Sequence, residues 1–390
     1  MRRLVLTLLA VSLCAAAPAS AGQWLAGDLH VHTTFSHDSW GGPGDDSPTD
    51  PTEYYTLGQT VTEDFAIAAS RGLNYLAITD HNDIRSQTDP GYGFGGVIPI
   101  HAYENSLDGH GQMLGATKVY DLPDHSWQSV RAMELDMHKH GWLLQANHPT
   151  DPVWNYSYDQ VPVDTVEVWN LPWFYDSPFP SAGNHDGMLR FGAADLDEGA
   201  HVTFTGGSDS HWKATVAGQG PGQPTTWVYA DEPTEKGILA GIRAGRTTIS
   251  AEPPAMGGPR VYLEGLVDGA WTAMEGDTVP PGTKLRVEVT GAPGATVRIV
   301  GNHGADVLTT TVTSPDFTAE ATPSQALTYA YVQLYGDDKV AERQQVCQAI
   351  PFIDLDGQTD YCHNRIAMLG ISSAIYFQPP TRPGLPFPAQ

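Results

Sequence analysis

The sequence predicts an α/β domain built on a largely parallel sheet or barrel, followed by a smaller all-β sandwich domain. From Gln23 to about Ser250, short apolar strands alternate with segments of helix length, which is typical of parallel α/β units. A Pro- and Gly-rich stretch, AEPPAMGGP, ends this pattern. Beyond it, short alternating runs are separated by Gly and Pro clusters, as in an all-β sandwich of about seven strands.

Each element of the first domain has its own signal in the pattern. Short apolar runs predict the strands Trp24–Val31, Tyr75–Asp80, Val97–Tyr103, Gln112–Lys118, Trp142–Asn147, Thr165–Trp169, Val202–Gly206 and Thr225–Tyr229. Amphipathic segments predict the helices Val61–Arg71, Ser126–His140, Gly187–Gly199 and Glu235–Ala244. In the second domain the strand signals include KLRVEVTG, ATVRIVG, VLTTTVT and LTYAYVQLYG.

The amino-terminal run MRRLVLTLLAVSLCAAAPASA predicts a secretory signal peptide. It has a basic start, an apolar centre and a small-residue cleavage site that ends at Ala21. A lipoprotein signal that uses Cys14 fits less well, because Leu13 is large for the position before such a cysteine. We therefore expect a secreted or periplasmic protein with a signal peptide at 1–21, a first domain at 22–255, a sandwich at 256–378 and a Pro-rich tail at 379–390.

Charge and cysteine content narrow the class of partner. The formal net charge of -25 disfavours binding to nucleic acid and to anionic membranes, so we expect a small-molecule substrate. Outside the signal peptide, no stretch reaches the roughly 18 apolar residues of a transmembrane helix. Cys347 and Cys362 remain after cleavage, and an oxidising compartment predicts a disulfide between them.

The stretch GDLHVHTTFSHDS concentrates histidine and aspartate within one predicted strand and the loop after it. Leu29 and Val31 alternate with His30 and His32, so the two imidazoles point to the same face of the strand. Alternate residues on a strand are about 7 Å apart. Two imidazoles at this spacing on a rigid face make half of a metal site.

Five other predicted strands of the first domain carry imidazole or carboxylate groups at or just after their carboxyl ends. In chain order these groups are Asp80, His81, Glu104, His148, Glu167, Asp209 and His211. The carboxyl ends of parallel strands form the active face of α/β folds, so these groups should meet there. Such a set of histidines and carboxylates exceeds the ligands of one ion and predicts two or three divalent ions of Mn, Zn or Fe.

At these residues the sequence resembles the PHP (polymerase and histidinol phosphatase) family of metal-dependent phosphoesterases. The matching stretches are DLHVHTTFS, LAITDHND, IHAYENS, ANHP and GSDSH, in the order of the family. The signal peptide, GDLHVHT and AGRTTIS are most similar to an exported, carbaryl-hydrolase-like group. The resemblance implies a distorted seven-stranded (β/α) barrel with metal ions at its carboxyl face.

The resemblance also implies a ligand set for each ion. His30 and His32 would bind the first ion with Glu104 and Asp209, and Glu104 would bridge to another. His81 and His211 would bind a second ion with a residue from Ser36-His37-Asp38, where His37 is preferred and Asp38 is the alternative. His110 and His148 would hold a third.

Several neighbouring residues have open roles. Asp28 and Asp80 would orient imidazoles, although Asp80 is also a possible direct ligand. Arg85 would grip a phosphate group or simply pair with an acid. Glu167 is a weaker candidate that would hold a nearby donor. Candidates for direct catalytic roles are His211, Asp80 and Arg85.

The expected reaction is hydrolysis by metal-activated water, without a covalent intermediate. No nucleophile-elbow pattern and no phosphate-binding Gly loop is visible in the sequence. Trp40, Tyr54, Tyr55 and the aromatic residues of WNLPWFYDSPFP would line the substrate site, or instead close the mouth of the barrel or pack against the β domain. Two alternatives remain: hydrolysis of a carboxylic or carbamate ester, and a non-catalytic metal- or glycan-binding surface module.

Overall fold

The computed structural model describes residues 22–39, 58–106, 109–122, 126–150, 163–171, 185–211, 213, 220–337, 344, 347–348, 357, 360–363 and 366–381. The predicted signal peptide lies outside these residues. The aromatic side chains at 40, 54 and 55, most of WNLPWFYDSPFP and the tail beyond 381 also lie outside them.

The first unit alternates strands and helices along the chain. Its strands are β1 (Gln23–Asp28), β2 (Tyr75–Ala77), β3 (Ile98–Ile100), β4 (Glu104–Asn105), β5 (Gly111–Leu114), β6 (Leu143–Ala146), β7 (Thr165–Asn170), β8 (Thr203–Gly207), β9 (Thr225–Ala230) and β10 (Thr247–Ser250). Its helices are α1 (Val61–Ser70), α2 (Trp127–His140), α3 (His185–Asp197) and α4 (Glu235–Arg243). The predicted mixed α/β organisation is therefore confirmed.

Local chemistry explains where two of these helices begin and end. Thr60 and Glu63 form a reciprocal capping box at the start of α1, which satisfies backbone N–H groups that have no partner within the helix. At the start of α2 the Ser126 side chain accepts the backbone N–H of Ser129. Gly141 ends α2 with a φ of 78°, a left-handed conformation that glycine adopts without steric cost.

The strands of the first unit belong to two sheets whose edges meet at the ligand-bearing end. In one sheet β1, β2 and β3 are parallel, and in the other β4 to β8 follow in sequence order. Parallel bridges between Val31 and Ser210 and between His81 and Glu104 join the two sheets. The arrangement is less parallel than expected, because β5 is antiparallel to both of its neighbours and β9 is antiparallel to β1.

The second unit is rich in β-strands. Its elements are β11 (Arg260–Val267), β12 (Ala270–Ala273), β13 (Leu285–Thr290), β14 (Thr296–Gly301), β15 (Ala305–Thr311), β16 (Asp316–Ala321), β17 (Tyr329–Asp337), α5 (Asp360–His363), β18 (Ile366–Ser372) and β19 (Ile375–Tyr376). One layer is the sheet β12-β11-β13-β16, and a facing layer contains β15-β14-β17-β18. Alternate residues of β11, β13, β14 and β17 supply a shared apolar core.

The facing layer does not end at the boundary between the units. Strand β18 pairs with β10, and β10 pairs with β9, so that one sheet runs from β15 through to β3. Side chains reinforce this seam: the ring of His201 stacks at 3.5 Å on Tyr376, and the backbone N–H of Phe204 donates to Oγ of Ser373 at 2.9 Å. The two units thus share a sheet and part of a core.

Two further features concern the cysteines and the helices. Cys347 and Cys362 form the predicted disulfide, with a sequence separation of 15 and both residues buried. Within the described residues, no helix has both the length and the apolar character that a membrane crossing requires.

Candidate metal centre

Four predicted ligands converge at the end of the sheets: His30, His32, Glu104 and Asp209. The Nε2 atoms of His30 and His32 are 3.1 Å apart. Oδ1 of Asp209 lies 3.1 Å from Nε2 of His30 and 3.2 Å from Nε2 of His32. Oε2 of Glu104 lies 3.4 Å and 3.2 Å from the same two nitrogen atoms. Each of the two carboxylate oxygens therefore lies within 3.4 Å of both imidazole nitrogens.

The spacing and chemistry of these atoms fit a bound cation. Ligand atoms about 2.0–2.2 Å from a tetrahedral ion lie roughly 3.3–3.6 Å from one another. The distances between the Nε2 atoms and the carboxylate oxygens are close to these values. Unprotonated imidazole nitrogens and carboxylate oxygens repel one another at this distance unless positive charge lies between them. Imidazole and carboxylate donors together suit Zn, Mn or Fe.

A second group of donors lies beside His32. Oδ2 of Asp38 is 3.1 Å from Nε2 of His81 and 3.2 Å from Nε2 of His211. Two consecutive turns after His32 bring the Asp38 carboxylate into this group. The preferred candidate, His37, instead places its ring 4.8 Å from the ring of His81. The group whose ligand atoms lie close together thus includes the alternative, Asp38, and not His37.

A third group forms around the second oxygen of Glu104. Oε1 of Glu104 lies 3.2 Å from Nδ1 of His110 and 3.4 Å from Nε2 of His148. Its other oxygen, Oε2, lies 3.1 Å from Nδ1 of His81, in addition to its contacts with the first group. The two oxygens of Glu104 thus face different groups, which is the geometry that a bridging carboxylate needs.

Hydrogen bonds on the far side of the imidazole rings determine which nitrogen faces the cluster. Nδ1 of His30 donates to Oε1 of Glu167 at 2.9 Å, and Nδ1 of His211 donates to a backbone carbonyl at 2.9 Å. Nδ1 of His32 lies 2.9 Å from Oγ of Ser36. These partners leave Nε2 of each ring directed at the other donors, as in carboxylate–histidine–metal arrangements. The donor that Glu167 holds, which the sequence left open, is therefore the Nδ1–H group of His30.

Two buried aspartates brace the backbone of the ligand-bearing segments. Asp28 accepts the backbone N–H groups of His30 at 3.0 Å and of Ser208 at 3.1 Å. Asp80 accepts the backbone N–H of Thr33 at 2.6 Å and also its hydroxyl group. Burial raises the pKa of both carboxyl groups to about 6. Both bonds described for Asp80 go to Thr33, so it braces the chain after His32.

The backbone is strained at two of the ligands. His148 has a φ of 26° and Asp209 has a φ of 47°, a left-handed region that residues with a Cβ rarely adopt. Such conformations cost about 1–3 kcal/mol each and persist only where the surrounding structure enforces them. Their position at the ends of β6 and β8 turns both side chains toward Glu104 and His30.

The charges of the cluster shift the pKa values of its members. Burial alone would lower the pKa of His30, but nearby carboxylates, Asp209 foremost, hold it well above its ordinary value. Burial would raise the pKa values of Glu104 and Asp209, but the imidazoles hold both well below their ordinary range. Burial is outweighed again at His211, whose pKa rises to about 10 beside Asp38. The site therefore attracts positive charge.

Two residues that the sequence offered as substrate contacts, Arg85 and Trp169, have other partners in the structure. Arg85 pairs with Asp83, to which its Nε donates at 2.6 Å, and its guanidinium lies 4.9 Å above the ring of Phe35. Arg85 is therefore paired with an acid, as the sequence allowed. Trp169 is buried in the core, where its Nε1 donates to the carbonyl of Leu171 at 2.8 Å.

Sequence reasoning missed three polar residues that support the ligands. Nδ2 of Asn147 donates to Oε1 of Glu104 at 2.8 Å, and Gln145 donates to Asn147 in turn. Nδ2 of Asn170 lies 3.1 Å from Glu167 and 3.2 Å from Asp209. Their position in the sequence could have indicated this role, because all three amides lie at or near the carboxyl ends of ligand-bearing strands.

Two solved structures are among those that are similar to the chain. No protein-family model and no curated protein matches the chain. A two-domain protein from Bacteroides vulgatus, which contains a predicted PHP-like metal-dependent phosphoesterase, aligns with a TM-score of 0.42 at 15% identity over 82% of this chain and 92% of its own. A protein from Bifidobacterium adolescentis, also assigned by prediction as a metal-dependent phosphoesterase, aligns with a TM-score of 0.32 at 15% identity over 48% and 87%.

Proposed function

We propose that the chain is a metal-dependent phosphoesterase that hydrolyses a small phosphate ester. The observation that carries this proposal is the convergence of Nε2 of His30 and His32 with carboxylate oxygens of Glu104 and Asp209, each of which lies within 3.4 Å of both nitrogens. The two flanking groups, which share Glu104, support two or three divalent ions of Mn, Zn or Fe. In this assignment Asp38 replaces His37 as the ligand beside His81.

The side chains of the chain prepare this site for hydrolysis. Divalent ions bound there would supply an activated water molecule and positive charge for the oxygen atoms of a phosphate group. Glu167 and Ser36 keep Nδ1 of His30 and His32 engaged, so that both Nε2 atoms stay available. Asp28 holds the two ligand-bearing segments at a fixed distance, because it accepts a backbone N–H from each.

An anionic substrate would rely on the ions for recognition, because the two basic residues nearest to candidate ligands in the sequence are each paired with an acid. Arg85 is engaged by Asp83, and Nζ of Lys213 lies 3.4 Å from Glu63. Phosphate oxygens match several clustered cations better than a neutral carbonyl oxygen does. A carboxylic or carbamate ester remains the alternative substrate class.

Metal analysis together with parallel hydrolysis assays tests the proposal. The purified mature chain should contain two or three transition-metal ions, and removal of those ions should abolish hydrolysis of aryl phosphate mono- or diesters. Faster hydrolysis of aryl carboxylate or carbamate esters would favour the alternative substrate class. Bound metal without turnover of any ester would favour a binding module, and less than one ion per chain after reconstitution would refute the site.

We also propose that the chain is exported after cleavage behind Ala21. The support is the Cys347–Cys362 disulfide, since such bonds persist in oxidising compartments. Amino-terminal sequencing of the protein from its native cells should give Gly22 as the first residue. A retained Met1 in the mature protein would contradict export by this route.

A further inference from the structure

A row of buried polar side chains crosses the second sheet beneath the candidate metal centre. Glu104 pairs in register with Gln112, Gln112 with Gln145, and Gln145 with Thr165, on four neighbouring strands. Each of these residues is fully buried. Register partners point to the same face of a sheet, so the interior beneath Glu104 is polar rather than apolar.

Part of this row forms a directional chain of hydrogen bonds that ends at Glu104. The hydroxyl groups of Thr165 and Thr205 donate to Oε1 of Gln145 at 3.0 Å and 2.7 Å. Nε2 of Gln145 donates to Oδ1 of Asn147 at 2.9 Å. Nδ2 of Asn147 then donates to Oε1 of Glu104 at 2.8 Å.

The direction of the chain is fixed from the Glu104 end and not from the threonine end, because a threonine hydroxyl group can either donate or accept. An ionised carboxylate only accepts hydrogen bonds, so Asn147 must present its amide nitrogen to Glu104. Asn147 is then left with its carbonyl oxygen toward Gln145, which must donate from Nε2. The two threonine hydroxyl groups meet the carbonyl oxygen that remains on Gln145. Each amide is thus locked in one orientation.

We propose that Asn147 and Gln145 are positioning residues that set the orientation of the Glu104 carboxylate and thereby the affinity of the His110–His148 group for a divalent ion. The donor from Asn147 holds Oε1, the oxygen that faces His110 and His148, while Oε2 faces the first group. Without it the carboxylate is free to rotate, and the third group loses its shared oxygen. This inference rests on the proposed metal-dependent function.

The test compares metal binding by Asn147→Leu and Gln145→Met with that of the wild-type mature chain. The ions are titrated against a chelator, and Co²⁺ binding is followed by its visible absorption, so the readout does not depend on activity. We expect one class of bound ion to weaken by about 10- to 100-fold, which is usual when a residue that orients a ligand is lost. The ion at His30, His32 and Asp209 should weaken less, because three of its four donors do not depend on the hydrogen bond from Asn147.

Gln112→Met is the matched control. Gln112 is the register partner of Gln145 and equally buried, but neither atom of its amide has a hydrogen-bond partner among the described residues. Its replacement should leave all ion affinities unchanged. A second pair of variants isolates the hydroxyl groups: Thr165→Val with Thr205→Val should weaken the same ion, whereas Thr165→Ser with Thr205→Ser should preserve it.

The outcomes separate this inference from the proposed function. Unchanged ion number and affinity in folded Asn147→Leu and Gln145→Met would overturn the inference alone. A wild-type chain that binds no ion would overturn the proposed function and the inference with it. If Asn147→Leu does not fold, the threonine pairs give the same readout, and equal affinities for the valine and serine pairs would overturn the inference.

Discussion

Gly207 lies against His30 so closely that no side chain fits between them. A Cβ atom on Gly207 would stand 2.3 Å from Cβ of His30 and 2.7 Å from Oε1 of Glu167. Carbon atoms do not approach this closely without displacement of one of them. The second glycine of the GGSDSH stretch therefore provides the space in which the first metal ligand and its carboxylate partner lie.

Gly207→Ala should displace His30 and reduce both metal affinity and stability. Overpacking of this kind costs about 1–3 kcal/mol. The matched control is Gly111→Ala, which also adjoins a candidate ligand but places its Cβ no nearer than 3.4 Å to the carbonyl oxygen of Gln145. Metal titration and thermal unfolding should distinguish the two variants. Equal behaviour would show that the contact with His30 is tolerated.

Glu167→Gln should weaken metal binding by roughly 10- to 100-fold, because it removes the charged acceptor of the His30 Nδ1–H. A chelator competition measures this change without an activity assay. Glu235→Gln is the control, since Glu235 pairs with His101 at 3.0 Å in the same way but away from the ligand groups. Unaltered affinity in Glu167→Gln would mean that the charge of this partner is dispensable.

The serines near the ligands should differ from one another, and none should be a nucleophile. Ser36→Ala should lower metal affinity about tenfold or more, because Oγ of Ser36 contacts His32 and accepts the backbone N–H of His81. Ser208→Ala should retain most of the turnover, since its hydroxyl contacts the backbone carbonyl of His30 at 3.2 Å and the Asp28 carboxylate, which keeps its backbone N–H donors in the variant. Chelator competition measures the metal affinity of Ser36→Ala, and steady-state rates measure the turnover of Ser208→Ala. Mass-spectrometric detection of a phosphoryl- or acyl-serine would refute direct hydrolysis.

Glu275 should make the stability of the protein fall as the pH rises. This carboxyl group is buried and accepts the backbone N–H of Leu263 at 2.8 Å, and burial raises its pKa from 4.5 to about 8. Its contribution to stability is fully present below about pH 4.5 and is lost as the pH rises through about 8.

Denaturant unfolding across this pH range checks the sign of the Glu275 effect. Glu275→Gln should lose less stability than the wild-type chain as the pH increases, because the amide does not ionise. Glu320→Gln is the control, since Glu320 is a half-exposed partner of Lys284. Parallel stability curves for the wild-type chain and Glu275→Gln would contradict the prediction.

Loss of the disulfide should destabilise the second unit but spare the metal site. Replacement of both Cys347 and Cys362 by serine opens a loop with a sequence separation of 15, which is worth about 3 kcal/mol in the chain-entropy model. Thermal unfolding should shift to lower temperature while metal content stays constant. Two free thiols per chain in the denatured, unreduced protein would show that the bond does not form.

Much of the fold was predictable because its signals are local. Strands such as β1 and β7 and helices such as α1 follow from apolar periodicity, and their bounds differ from the prediction by a few residues at most. The pairing of β10 with β18 was not predictable, because it joins Thr248 to Ser372 across more than a hundred positions. Neither segment contains a local sequence signal that identifies its partner strand.

The candidate site divides in the same way. His30, His32, His81 and Asp209 were recognisable because they follow apolar strands whose ends meet at one face. The choice between His37 and Asp38 depended on two turns whose geometry the sequence leaves open. The amides that support Glu104 were missed because asparagine and glutamine at strand ends are common in ordinary turns, and only the three-dimensional register shows what they contact.

Because one sheet runs through β10 and β18, the two units are poorly suited to exchange as separate domains. A cut near residue 255 would expose an unpaired edge on β10 and remove Tyr376 from its stack on His201. In engineering terms the natural unit is discontinuous: the segment from Ile366 to Tyr376 belongs with the ligand-bearing half, although more than a hundred residues separate it from β10. A fusion or domain exchange that transplants residues 22–255 alone should therefore yield an aggregation-prone fragment.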